Sequence, residues 1–217
     1  MRSLMLAGSI VAACAASAAA TPVAFNFETV AVTGNAVGGY TSLNYVLGAA
    51  SLDITRTSGT AFDVTGTSGR PGSWGGRSLS PFFNASIADK FNANISTPGT
   101  VTSISIEYGD FAPSDGGDVY FEVWSGPNAT GVLSYSEVQN WPGSTGFPSF
   151  GTFSFAGTGI GSIRFWGEIG ASNFPNSLFW DNINIDYTEG AVIPLPSVAG
   201  MSLAGLAVIG IRRRRNA

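Results

Sequence analysis

The chain has 217 residues, 44% of them hydrophobic and 11% charged, with 29 glycines; that is too apolar for a disordered chain and long enough for one domain with a sizeable core. It has no histidine, and its one cysteine is Cys14, which excludes Ser-His-Asp and Cys-His catalysis and the usual zinc sites from the body. Residues 21–190 hold all 14 acids but only five of the 10 bases, a net charge of −9, so the body repels phosphate backbones and nucleic acid is excluded as a partner.

Residues 1–20, "MRSLMLAGSIVAACAASAAA", read as a secretory signal. Arg2 is followed by an apolar run and then by Ala18-Ala19-Ala20, the small residues a signal peptidase accepts, with cleavage before Thr21. Val11-Ala12-Ala13-Cys14 also has the form of a lipobox, in which Cys14 becomes a lipidated N-terminus; the alternative is an ordinary small hydrophobe in the signal.

From Thr21 to Gly190 no apolar repeat at helical spacing is sustained. Short segments rich in Val, Ile, Thr and aromatics recur between Gly, Pro, Asn, Asp and Ser clusters: "VAFNFE", "SLDITR", "TVTSISIEY", "DVYFEVWS", "GVLSYSEVQ", "FGTFSFA", "SIRFWGEI" and "LFWDNINIDY". Such writing predicts strands and turns. Alternation places Ile104, Ile106 and Tyr108 on one face, as it does Val119, Phe121 and Val123, then Ile163 and Phe165, then Ile183 and Ile185. About ten strands without crossover helices predict an all-β fold, a jelly-roll-like two-sheet antiparallel β-sandwich. The Gly-rich stretch from Thr67 to Ser78 is expected to be a long loop.

Three groups of residues stand out for chemistry. Asp181 shares the phase of Phe179, Ile183 and Ile185, the expected core face, where a carboxylate needs a partner. Calcium held by hard oxygens is one such partner, with Glu28 at the end of the first strand as second ligand; a bulge, or backbone N–H groups bonded to the carboxylate, is the alternative. Asp110, Asp115 and Asp118 sit in "DFAPSDGGD", which reads as a turn. Trp124, Trp166 and Trp180 take the opposite phase from the aliphatic core positions, in the company of Tyr120, Glu122, Arg164, Glu168, Asn182 and Asn184. That combination predicts a glycan-binding sheet face, because flat rings stack on sugars while amides and carboxylates meet hydroxyls; burial of both faces is the alternative. Trp74 and Trp141 are expected to be loop aromatics. Glu107, Asp110, Glu122, Glu137 and Glu168 could supply a glycosidase-type carboxylate pair; solvated outer-face acids are the alternative.

The tail closes the chain. Val192 to Ile211 is about the 20 residues needed to cross a bilayer, interrupted early by Pro194 and Pro196, and Arg212, Arg213, Arg214 and Arg215 behind it would hold that end in the cytoplasm. This order, Val192-Ile193-Pro194-Leu195-Pro196-Ser197, then an apolar segment, then an arginine cluster, resembles the tripartite PEP-CTERM sorting signal of Gram-negative bacteria in its VPLPA variant. It departs from the variant at Ile193 and Ser197. The resemblance implies recognition by an exosortase-type membrane protease or transpeptidase, cleavage near the proline motif, and delivery to the cell surface or an exopolysaccharide matrix after transient anchoring by the C-terminal helix. "FNFETV", "FAGTGIGSIRFWG" and "LFWDNINID" are loosely similar to β-sandwich ectodomains that precede this signal. The expected organisation is therefore a signal peptide over 1–20, a β-sandwich ectodomain over 21–190 and a sorting signal over 191–217. The expected function is that of an exported, non-enzymatic, structural or adhesive protein that binds glycan and calcium, with a polysaccharide-active, glycoside hydrolase-like enzyme as the alternative.

Overall fold

Residues 19–33, 39–66, 74–81, 89–109, 116–141, 150–169 and 178–190 are described by a computed structural model. Gly190 apart, they belong to one unit, Ala19–Glu189. Cys14, the proline motif of Val192, Pro194, Leu195 and Pro196, the cluster Arg212 to Arg215, and Asp110 and Asp115 lie outside the described residues. Among the described residues no helix is long and apolar enough to cross a membrane.

Among the described residues twelve strands follow in chain order: β1 Ala20–Phe25, β2 Ser42–Leu47, β3 Ala50–Arg56, β4 Asp63–Gly66, β5 Arg77–Ser80, β6 Phe91–Ser96, β7 Gly99–Gly109, β8 Gly117–Trp124, β9 Leu133–Trp141, β10 Phe150–Ala156, β11 Ser162–Ile169 and β12 Phe179–Glu189. They form two six-stranded antiparallel sheets. The first runs β10-β7-β12-β5-β4, with β1 also paired to β12; the second runs β2-β3-β6-β11-β8-β9. The chain is thus an all-β two-sheet sandwich, as its alternation predicts. The expected loop from Thr67 to Ser78 ends sooner, because Arg77 and Ser78 already pair with Gly66 and Thr65 in the β4–β5 ladder.

Packing follows from the period of two. Ile104, Ile106 and Tyr108 of the first sheet and Val119, Phe121, Val123, Ile163 and Phe165 of the second all enter one buried cluster. Aromatic rings tie the layers together: Phe121 stacks on Phe153 of β10 at 5.3 Å between centroids, and Phe165 meets Trp180 of β12 at 4.7 Å.

β12 departs from simple alternation. Its register with β7 shifts between Asp181 and Asn184, and Asn182 sits at φ 47, a left-handed conformation that asparagine tolerates better than most residues. The irregularity is a bulge, and a bulge resets the phase of a strand. Trp180 before it and Ile183 and Ile185 after it therefore all point into the core.

Among the described residues, an ion pair lies at the rim of the core. Arg56, the last residue of β3, pairs with Asp89 and donates from Nη1 to the Pro81 and Ala61 carbonyls at 2.8 and 3.0 Å. Asp89 in turn accepts from the Ser58 amide at 3.0 Å and from the Ser58, Thr57 and Thr60 hydroxyls. The network ties the β3–β4 turn to the entry of β6, where Lys90 exchanges bonds with Thr57: its amide donates to Oγ1 at 3.0 Å, and its carbonyl accepts from the Thr57 amide at 2.9 Å.

Candidate functional site

The outer face of the second sheet carries the expected mixture of rings and polar groups. Along β8 it presents Trp124, Glu122, Tyr120 and Asp118, which alternate with the core residues Val123, Phe121 and Val119. Register sets partners beside each: Arg164 opposite Glu122, Trp166 opposite Tyr120, Glu168 opposite Asp118, with Asn92 of β6 beyond Arg164. At two residues per repeat on one face, Trp124 and Tyr120 stand about 13 Å apart, with Glu122 between them.

Each polar group is held. The Trp124 indole N–H donates to Glu122 at 2.9 Å, the Arg164 Nε–H donates to Asn92 at 2.9 Å, and the Arg164 guanidinium lies 4.0 Å from the Glu122 carboxylate and 5.9 Å from the centre of the Trp124 ring. The Tyr120 hydroxyl donates to Glu168 at 3.1 Å. Burial, and then the hydrogen bond to Glu168 and its charge, push the Tyr120 hydroxyl above the usual phenol range. Such a face meets hydroxyl-bearing ligands with both donors and acceptors already oriented.

Trp166 is the centre of the face, and its ring is enclosed. Tyr120 of β8 stacks on it, centroids 4.7 Å apart and planes within 1°. From the β6 side the Lys90 ammonium sits 3.4 Å from the ring centre. Burial lowers the Lys90 pKa, with Arg164 adding to that effect and Glu122 and Glu168 opposing it. Trp166 is in consequence only 5% exposed. The ring that offers a surface is Tyr120, half-buried and opposite the exposed Val138 of β9; the sequence reading places it only as polar company for Trp124.

One end of the face is walled by the turn after β8. Asn128 and Ala129 both adopt positive φ, 53° and 52°, a conformation unfavourable for alanine. Sheet side chains hold them there: Asn94 of β6 and Asn128 exchange bonds at 2.6 and 2.9 Å, and Ser162 of β11 accepts from the Ala129 amide and donates to the Gly126 carbonyl.

Several expected site residues lie elsewhere. Trp180 is not on a sheet face but in the core, with no exposed surface, because the β12 bulge sets its phase. Trp141 is 7% exposed and packs on Tyr108 at the end of β9, and Trp74 is buried with its indole N–H 2.6 Å from Glu107; neither is a free loop aromatic.

The same bulge moves Asp181 off the core face. It is buried on the outer side of the first sheet, opposite Glu107 in register, and accepts from the Asn182 amide at 2.7 Å. Glu28 accepts from the Gly76 and Arg77 amides at 2.7 and 2.8 Å, and Gly75 beside it sits at φ 61, a left-handed conformation that favours glycine. Glu107 receives Trp74 and Asn182 together, and Asn182 is the residue whose amide bonds Asp181, while Glu28 meets the Trp74–Arg77 segment directly. Among the described residues no group of three or more His, Cys, Asp or Glu side chains gathers as a cation shell.

The carboxylates expected to supply a glycosidase pair are dispersed. Glu107 belongs to the first sheet, and Glu137 is bonded to Tyr135 and Gln139 on β9. Glu122 and Glu168 share the outer face of the second sheet with a strand offset of about 13 Å, beyond the roughly 5–10 Å that either glycosidase geometry requires. The acids that stand directly opposite each other there are Asp118 and Glu168, bonded to Asn140 and Tyr120 respectively.

No family model matches the chain, and neither does any curated protein. Among solved structures it is similar to the K3 cleaved adhesin domain of Lys-gingipain from Porphyromonas gingivalis W83, with a TM-score of 0.42 and 11% identity over 77% of this chain and 99% of that one. It is also similar to a family 29 carbohydrate-binding module from Piromyces equi, with a TM-score of 0.39 and 11% identity over 78% and 92%. A xylan-binding domain of carbohydrate-binding family 22 gives a TM-score of 0.41 and 13% identity over 79% and 96%.

Proposed function

We propose that this protein is an exported, non-catalytic, jelly-roll-like glycan-recognition domain that carries its own C-terminal sorting signal. The observation that supports glycan recognition is the outer face of the second sheet, where the Tyr120 and Trp124 rings flank Glu122 and Arg164. Rings supply stacking surface for the apolar faces of sugars, and oriented carboxylate, amide and guanidinium groups between them match ring hydroxyls. Their separation suits an oligosaccharide chain rather than a single sugar.

A glycan array followed by calorimetry tests this reading. Tyr120→Ala and Trp124→Ala are each expected to weaken binding about tenfold, near 1.4 kcal/mol, without loss of fold. Undiminished affinity in the double variant would reject the face. The enzyme alternative predicts release of reducing ends from the bound polymer and its abolition by Glu168→Gln; the binding reading predicts no release.

Export and sorting rest on the sequence of the two ends. Expression with and without residues 192–217 is expected to shift the protein from the membrane and surface fractions to the soluble exported fraction, and C-terminal mass determination of the full chain is expected to show cleavage near Pro194 to Pro196. An intact tail at the surface would replace sorting by permanent anchoring.

A further inference from the structure

Trp166 poses a specific difficulty for the glycan reading, since the central ring of the face has no open side. β11 lies between β8 and β6, so Tyr120 and Lys90 occupy opposite faces of the indole. The two covers are held differently. Tyr120 is anchored at its tip by Glu168, whereas Lys90 is anchored only at its backbone, through Thr57 and the Arg56–Asp89 pair next to it. The Lys90 ammonium forms no ion pair among the described residues. A fixed base with an unpinned arm describes a side chain that can swing without disturbing the sheet.

The indole itself points the same way. Its Nε1–H is buried and has no hydrogen-bond partner among the described residues, on a ring that is 5% exposed. A buried donor without an acceptor is unfavourable, and elsewhere on this face every indole and guanidinium finds one: Trp124 has Glu122 and Arg164 has Asn92. An acceptor delivered from outside would satisfy it.

Resting on the glycan reading, we propose that Lys90 is a displaceable cover: its ammonium occupies the place of a sugar ring on Trp166, and a neutral glycan takes that place, stacking on the indole and accepting from Nε1–H. Neutral glycans are favoured over uronate polymers because Asp118, Glu122 and Glu168 outnumber Lys90 and Arg164 on the face, Arg164 is already engaged, and the body is acidic overall. A single cation–ring contact is a modest interaction that a stacking sugar can replace, so the exchange is reversible, and Lys90 rejects ligands too weak to displace it.

Lys90 is the only lysine of the chain, which makes it a unique probe. Reductive methylation of the full-length protein with 13C-formaldehyde labels it and the α-amino group alone. In the free protein the dimethyl-lysine signal is expected well upfield of its free-solution position, because the indole ring current acts on it, and Trp166→Leu should abolish that shift. Saturation with a neutral oligosaccharide found on the array should return the signal to the solution position, and Lys90→Ala should tighten that oligosaccharide about three- to tenfold. If calorimetry shows binding while the methyl signal stays upfield, or if Lys90→Ala weakens binding, the cover is wrong and the glycan face stands. If no glycan binds at all, the face itself fails; an upfield signal absent from the free protein would overturn the Lys90–Trp166 contact independently of any ligand.

Discussion

Asp89→Ala is expected to lower stability by about 3–5 kcal/mol, because it strands the buried Arg56 guanidinium without its counter-charge. Urea unfolding at neutral pH measures the loss, and a fall below about 1 kcal/mol would show that the pair is solvated rather than buried. Burial pulls the Asp89 carboxyl upward, but hydrogen bonds from Ser58 and Thr60 and the Arg56 charge outweigh it and leave it below the usual carboxylate range. The folded state therefore holds that proton less readily than the unfolded chain. Its stabilising effect is present above the unfolded value of about 3.9 and is lost as pH falls through the lower folded value. Asp63 acts in the opposite sense: burial raises its pKa, only partly offset by the Thr33 hydroxyl, so its contribution is present at low pH and declines as pH rises through the raised value. The comparison of wild type with Asp89→Ala isolates the first effect, since Asp63 is common to both.

Trp180→Ala is expected to destabilise the sandwich by about 3–5 kcal/mol through the cavity it opens. The side chain has no exposed surface and touches both layers, with Phe165 at 4.7 Å and Tyr108 at 5.7 Å. A tryptophan on a solvated face would instead change stability by no more than about 0.5 kcal/mol, so thermal unfolding of this one variant separates the two placements. Trp180→Phe should be much milder. The indole N–H is buried without a hydrogen-bond partner among the described residues, and removing it leaves nothing there unsatisfied.

The same strand shows where reading the sequence falls short. Alternation places Ile183 and Ile185 correctly because no register shift falls between them; the next lies beyond, between Asp186 and Tyr187. It misplaces Trp180 and Asp181 because one residue in left-handed conformation, Asn182, moves every earlier side chain to the other face. Asn182 offers a weak local signal, since asparagine tolerates that conformation, but many asparagines in strands do not adopt it. In the β8–β11 ladder, which keeps an unbroken register, Trp124 and Trp166 fall on the predicted face.

Even there, phase does not determine accessibility. Trp166 points outward as expected and is nevertheless enclosed, because Tyr120 lies opposite it in the ladder and Lys90 reaches it from the entry of β6. Register between strands distant in the chain decides such neighbours, and no periodicity within one strand encodes it. The Arg56–Asp89 pair is hidden for the same reason: its members are 33 positions apart and meet only through the β3–β6 ladder.

Local chemistry alone therefore settled the strand content, the two-sheet class and the inward positions of regular strands, since steric preference and side-chain alternation act over a few residues. Folding settled which rings are open, which carboxylates face one another, and which charges are buried together. Those depend on long-range pairing and on local irregularities such as the β12 bulge, and the free energy that selects them belongs to the packed sheets as a whole.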